Sequence, residues 1–280
     1  MKTLLTKDVD EAARFIRRGG VVAFPTETVY GLGANVFDTN AIAKVFAAKG
    51  RPNDNPLIIH IAEPEQLELV SSAHGPNAAR LMERFFPGPL TILLLLATAG
   101  LETAGIRMPA NETARRFIAA CGTPLVAPSA NISGRPSPTT WQAVYDDLNG
   151  KIDCILQGDP ANIGLESTVV DCTDDATPRV LRTGAVSLDE LKKIVPATEY
   201  HLFGDGEAAR SPGMKYRHYA PQARVRFWNG EAVRSGEAFI GLSQPPADAG
   251  SHVRICDTAA EYARELFAFL RPPRDSRDLL

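Results

Sequence analysis

The chain has 280 residues, 44% hydrophobic and 22% charged, which is the composition of an ordered globular protein long enough for one large domain or two. A formal net charge of -3 excludes bulk attraction to nucleic acid as the basis of its action, although it leaves room for a local basic patch. The four cysteines lie far apart and form neither a CxxC pair nor a Cys/His metal spacing, so they read as small buried hydrophobes in a reducing compartment.

At the N-terminus, MKTLLTKDVDEAARF carries charges where a secretion signal needs an unbroken apolar stretch, and a cytoplasmic location is expected. Residues 8–18 predict a first helix, capped by Asp8, with Val9, Ala12, Ala13 and Ile16 on one face and Gly19-Gly20 as its stop. The helix leads into VVAF (21–24), a β-favouring run halted by Pro25 and followed by Thr26, Glu27, Thr28, Tyr30, Gly31 and Gly33. Hydroxyls and glycines after a strand can bring bare backbone against a ligand.

Asp38 can cap a second helix, along which Ile42, Val45 and Phe46 recur at helical spacing until Gly50 ends it. Lys49 and Arg51 therefore straddle a helix C-terminus. There they could simply complement the macrodipole, for roughly 0.3–1 kcal/mol each. Pro52 and Pro56, however, stiffen the following turn and hold Arg51, and a fixed guanidinium fork beside an ammonium suits phosphate oxygens.

LIIHI (57–61) reads as a strand in which His60 is either a hydrogen-bonded core residue or, near the strand end, part of a site. Helices are expected at 65–70 and 76–86, the second broken by Pro87-Gly88-Pro89. LTILLLLA (90–97) is apolar on both sides and so belongs inside a sheet covered on both faces; it falls far short of the ~20 residues of a membrane span, and no membrane association is expected. Arg107, in IRMP (106–109), is too costly to bury unpaired, and either forms a salt bridge at the sheet edge or binds an anion.

Residues 111–120 predict a helix, and PLVA (124–127) a strand ending in Pro128-Ser129-Ala130-Asn131. Ser129 and Asn131 there make either a local turn or a polar pair at a site. A loop (133–140), a helix (141–148), strand DCIL (153–156) and a punctuated loop (157–166) then lead to a strand starting at Ser167-Thr168. RVLRTG (179–184), which contains Arg182, and a helix from Ser187 with Glu190 completing a capping box close a layered α/β domain with a mixed sheet.

Residues 196–222 change character, and SPGMKYRHYAP (211–221) gathers Met214, Tyr216, His218 and Tyr219, which a plain solvated linker would not carry. Beyond it VRFW (225–228), AFIGL (238–242) and VRIC (253–256) predict strands, and 258–270 an amphipathic helix. No GxxxxGK[ST] loop occurs, and Gly31-Leu32-Gly33 lacks the third glycine of a dinucleotide fingerprint, so any nucleotide is held another way.

Taken in order, PTETVYGLG, KGRP, NPLIIH, PSAN and ESTVVD resemble the Sua5/YrdC/YciO family. The resemblance implies a YrdC-like α/β catalytic domain with a twisted mixed sheet over 1–195, a linker over 196–222, and a small Rossmann-like C-terminal domain of the Sua5 type over 223–280. That last domain is expected to be shortened, since the family continues past LFAFLR where this chain closes with RPPRDSRDLL. The implied activity is that of an L-threonylcarbamoyladenylate synthase, which joins L-threonine, bicarbonate or CO2, and ATP into threonylcarbamoyl-AMP and pyrophosphate. This is the first step of N6-threonylcarbamoyladenosine formation in tRNA.

By the same match Lys49 and Arg51, with Ser129 and Asn131, cradle the nucleotide phosphates, and the two cations carry the catalytic charge neutralisation. Arg107, Arg182 and Tyr219 lie at the nucleotide, and Thr28, His60 and Ser167 surround L-threonine. The family implies no metal site of its own; Mg2+ arrives on the ATP phosphates and bicarbonate is a substrate. A tRNA or a downstream threonylcarbamoyl-transferase complex is the implied partner. Two other classes stay open: a carbamoyl-transferring relative acting on carbamoyl phosphate, and an RNA-binding module using the cationic concavity.

Residues 211–221 are expected to form a lid that keeps water from the mixed anhydride. Truncation near residue 200 should then leave ATP binding but remove most synthesis. Full-length rates from the truncated chain, with a silent Tyr219→Ala, would reduce the segment to a connector.

Overall fold

The computed structural model describes residues 2–51, 56–71, 74–96, 103–201, 221, 223–230, 237–245 and 252–271. In chain order its elements are β1 (Leu4–Thr6), α1 (Val9–Arg17), β2 (Val22–Phe24), β3 (Gly31–Asn35), α2 (Thr39–Lys49), β4 (Ile58–His60), a 3-10 turn at Pro64–Leu69, α3 (Pro76–Phe85), β5 (Leu90–Leu95) and β6 (Thr103–Arg107). There follow α4 (Glu112–Cys121), β7 (Leu125–Val126), α5 (Trp141–Leu148), β8 (Cys154–Leu156), β9 (Thr168–Asp171), β10 (Arg179–Arg182), α6 (Leu188–Ile194), β11 (Glu199–Tyr200), β12 (Ala238–Gly241), β13 (His252–Ile255) and α7 (Ala259–Phe269).

Local chemistry accounts for most of the boundaries. The carboxylates of Asp8 and Asp38 accept backbone N–H groups at the starts of α1 and α2, Ser187 and Glu190 close the capping box of α6, and Gly50 ends α2 at φ 59°, the left-handed region that glycine occupies without strain. Residues 64–69 form a six-residue 3-10 turn in place of the expected α-helix.

One mixed sheet carries the site, in the order β1-β8-β2-β3-β7-β4-β6-β5-β9-β10-β11. Both pairings occur at its centre: β4 runs parallel to β6, and both β3 and β4 run antiparallel to β7. Side chains alternate between the faces as the pleat requires. Ala23, Val126 and Ile155 join the core beneath α2, α3, α5 and α6, whereas Val22, Phe24, Leu125, Cys154 and Leu156 join the core beneath α1 and α4. β5 lies between β6 and β9 with Leu90, Ile92 and Leu94 buried on one face, so the twofold-covered strand expected from LTILLLLA is found, ending at Leu95.

Gly31 and Gly33 differ from expectation. They are not a loop but strand β3, paired antiparallel with β2, and the space their missing side chains leave is filled by the Phe24 ring. A Cβ on Gly33 would lie 3.0 Å from Phe24 Cε1 and 3.3 Å from Leu125 Cδ1, and one on Gly31 3.2 Å from the same ring. The short β1 and β11 were also unforeseen, because each is recruited by a parallel neighbour rather than by its own pattern.

In the C-terminal part β12 and β13 pair in parallel, and α7 is capped by Thr258. VRFW (225–228) is not a strand: Val225 and Phe227 are exposed, and among the described residues no strand pairs with it. Of the lid expected at 211–221, residues 211–220, Tyr219 among them, lie outside the described residues, as do 272–280.

Gly33→Ala is expected to cost about 1–3 kcal/mol of stability by overpacking against Phe24. In a Phe24→Leu background the same change should cost less, a coupling that urea unfolding of the four proteins would measure. Equal costs in both backgrounds would clear the ring of responsibility.

Candidate active site

Strand ends and loops from both sides of β3 converge on one cleft of about 690 Å³, open solvent at the mouth included. Thr28, Lys49, Arg51, His60, Arg107, Ser129, Asn131, Ser167 and Arg182 all line it, as do Thr26, Tyr30, Arg135 and Glu166.

The loop after β2 is shaped by Thr26, whose hydroxyl donates to the Val29 carbonyl at 2.6 Å and lies 3.0 Å from the Thr28 hydroxyl. Arg107 reaches it from the end of β6: Nη2 meets Glu27 Oε1 at 2.5 Å, Nη1 donates to Thr28 Oγ1 at 2.8 Å and Nε to the Gly88 carbonyl at 3.2 Å. Of the two readings open for Arg107, the structure shows the salt bridge, and shows it inside the sheet rather than at its edge. His60 sits beside Arg107 in the β4–β6 register, edge-on to Phe24, with Nδ1 3.3 Å from the Ile58 carbonyl.

A second corner surrounds Lys49. Its ammonium donates to the Ser129 carbonyl and, at 2.6 Å, to the Asn131 carbonyl, so the Pro-Ser-Ala-Asn segment is wrapped on it. Arg51 is held as the sequence suggested, by Nη2 donating to the Pro56 carbonyl at 2.7 Å and by the Phe46 ring 6.0 Å away. A third group brings Arg182 Nη2 to Ser167, at 3.0 Å from its carbonyl and 3.1 Å from its hydroxyl, while that hydroxyl lies 2.7 Å from Thr91 Oγ1.

Burial sets the charge states. It drives the Lys49 ammonium well below its ordinary pKa, and the neighbouring Arg51 adds to the effect. His60 is held down to about 3, first by burial and then by Arg107, so it is a neutral imidazole at neutral pH. Burial also raises Glu166, against the pull of Arg182 and of Ser137, whose hydroxyl donates to Oε1 at 2.5 Å. At Glu27 burial, the largest single effect, is outweighed by Arg107 and backbone hydrogen bonds together, and the carboxyl lies below its usual range. Among the described residues no group of three or more His, Cys, Asp or Glu side chains could hold a metal ion.

The model of the Sua5, YciO and YrdC proteins, described as telomere recombination, matches residues 14–184. The chain belongs to the Sua5/YciO/YrdC family. A second model, the threonylcarbamoyl-AMP synthase C-terminal domain, matches residues 186–276. The chain is 45% identical over 284 aligned positions to the threonylcarbamoyl-AMP synthase of Pyrococcus abyssi, covering 93% of this chain and 83% of that protein. With the threonylcarbamoyl-AMP synthase of Bacillus subtilis it shares 46% identity over 236 positions, 81% of this chain and 68% of the relative. The solved structure of P. abyssi Sua5 complexed with L-threonine superposes with a TM-score of 0.83 at 40% identity, over 96% of this chain and 87% of that one.

In this Sua5/YciO/YrdC member, Glu27, Thr91, Ser137, Asp147 and Glu166 also bear on the cleft and were not nominated from sequence. Glu27 was the most findable: an acid in a loop after an apolar strand and an Arg in another apolar strand each need a countercharge. For the others no local signal exists, since their partners lie far along the chain.

His60 gives a pH signature. Its unfolded form takes a proton near pH 6.5, whereas the folded form refuses one until about 3, so stability falls as pH drops through that window. Glu27 acts in the same direction, but only below its ordinary 4.5. Between about pH 7 and pH 5 the loss should therefore be smaller in His60→Gln, as measured by urea unfolding. Parallel pH profiles would exclude His60 as the cause.

Proposed function

We propose that this cleft makes threonylcarbamoyl-AMP from L-threonine, bicarbonate or CO2, and ATP, releasing pyrophosphate. What carries the reading is the coexistence in one cleft of a preorganised cationic corner, Lys49 and Arg51, with the hydroxyls of Thr28 and Ser167 and a neutral histidine, His60. Similarity to relatives named for this reaction supports it.

The amine of threonine, once carboxylated, presents a carbamate oxygen. That oxygen forms a bond to the α-phosphorus while the α–β bridging bond breaks, and the electron pair leaves with pyrophosphate. Such a displacement needs alignment and charge neutralisation rather than covalent help. Lys49 is poorly solvated and repelled by Arg51, with Asp147 and Glu166 pulling the other way, so arriving phosphates would add countercharge beside it. Arg51, fixed by Pro56 and Phe46, presents its guanidinium without a reorganisation cost.

His60, neutral, exchanges a hydrogen bond with threonine without adding a cation beside the ammonium group. Arg107, bonded to Glu27 and Thr28, sets the Thr28 hydroxyl at the amino-acid corner rather than serving the phosphates. Magnesium would come with the nucleotide, on its phosphates. The product would then pass to a transferase that modifies adenosine in tRNA.

Lys49→Ala and Arg51→Ala should each lower threonine- and bicarbonate-dependent pyrophosphate release by about 10²–10³-fold while the melting transition persists. Near-normal turnover in either folded variant would sink the phosphate assignment.

A further inference from the structure

Helix α7, far along the chain from the catalytic loops, sits against two of them. At its C-terminal end Arg271 sends Nη2 to Asp147 Oδ2 at 3.0 Å and to the Pro136 carbonyl at 2.5 Å, and Nη1 to the Ala143 carbonyl at 3.4 Å. The Arg271 side chain is 13% exposed and that of Asp147 1%. Two turns earlier the α7 backbone lies directly on Gly164, where an added Cβ would come 2.4 Å from the Arg264 Cα.

Asp147 is the junction. Its other oxygen accepts Arg135 Nη1 at 2.9 Å, and Oδ2 also accepts the Ile132 N–H at 3.3 Å. From there the bonds run into the cationic corner: Asn131 Nδ2 donates to the Arg135 carbonyl at 2.9 Å, the Ser133 N–H to the Lys49 carbonyl at 2.9 Å, and the Lys49 ammonium to the Asn131 carbonyl at 2.6 Å. Residues 131–137 have no regular secondary structure of their own to hold them, and Asn131, Ser133 and Arg135 line the cleft. The Ser137–Glu166 hydrogen bond joins this loop to the one on which Gly164 lies.

We propose that Arg271 is a positioning residue for the nucleotide corner: through Asp147 and the Pro136 carbonyl it holds residues 131–137 in the shape that presents Lys49 and Arg135 to the cleft. Helix α7 thereby completes the catalytic site instead of only following it in the chain. As it concerns ATP, the inference rests on the synthase reading above; the clamp itself does not.

In the full-length chain, Arg271→Ala should raise the KM for ATP by about fivefold to thirtyfold, the span of one to two kcal/mol, and leave the KM for threonine unchanged. Amide exchange at 132–137 should quicken, and Arg271→Lys, which keeps the charge but loses the fork, should fall between wild type and alanine. If the alanine variant does not fold, Arg271→Gln takes its place. Unchanged exchange at 132–137 overturns the proposal. Faster exchange with an unchanged KM for ATP, or equal rises in both KM values, also overturns it, since either leaves Arg271 a merely structural contact. A wild-type protein that releases no pyrophosphate sinks the synthase reading, while the exchange comparison still decides the clamp.

Discussion

The Glu27 carboxylate and the Arg107 guanidinium meet at 2.5 Å with 5% of either side chain exposed, and much of the site depends on that pair. Removing two charges from water costs several kcal/mol per ion, so such a pair persists only when its remaining donors and acceptors are also met. Here they are: Arg107 donates to Thr28 and Gly88 as well, and Glu27 accepts the Asn111 N–H at 3.4 Å. The pair ties the loop after β2 to the end of β6 and the start of α4. Loss of one partner would strand a buried charge, at roughly 3–5 kcal/mol.

From that tie the cleft follows. Thr28 is oriented by the guanidinium, and His60, beside Arg107 in the register, is kept neutral by burial and by the same positive charge. The loop's other side is knitted to the Pro-Ser-Ala-Asn segment, since the Ala130 N–H donates to the Tyr30 carbonyl and the Leu32 N–H to the Pro128 carbonyl. Lys49 gathers the same segment from below through carbonyl oxygens. A single mixed sheet thus delivers a cationic corner and a hydroxyl corner to one concavity.

Charge is managed differently in the two corners. Around Glu27 and Arg107 opposite charges satisfy each other, which suits an amino acid bound by hydrogen bonds. Around Lys49 and Arg51 like charges are held together by backbone carbonyls and an aromatic face, with Asp147 and Glu166 as the acids that act on Lys49.

The sequence by itself determined the helix limits, through caps such as Asp38 and Ser187 and stops such as Gly50, because those signals act over a few residues. It also determined that β5 would be covered on both faces, since an unbroken apolar strand has no side for water, and motif order nominated nine of the residues that line the cleft. Only the tertiary structure decided that Gly31 and Gly33 make room for the Phe24 ring, that Arg107 pairs with Glu27, that VRFW is not a strand, and that Arg271 reaches Asp147. Each of these turns on a partner remote in sequence: 80 positions separate Arg107 from Glu27 and 124 separate Arg271 from Asp147. Local propensity says which residues need a partner; the folded sheet and the helices on it decide which one they meet.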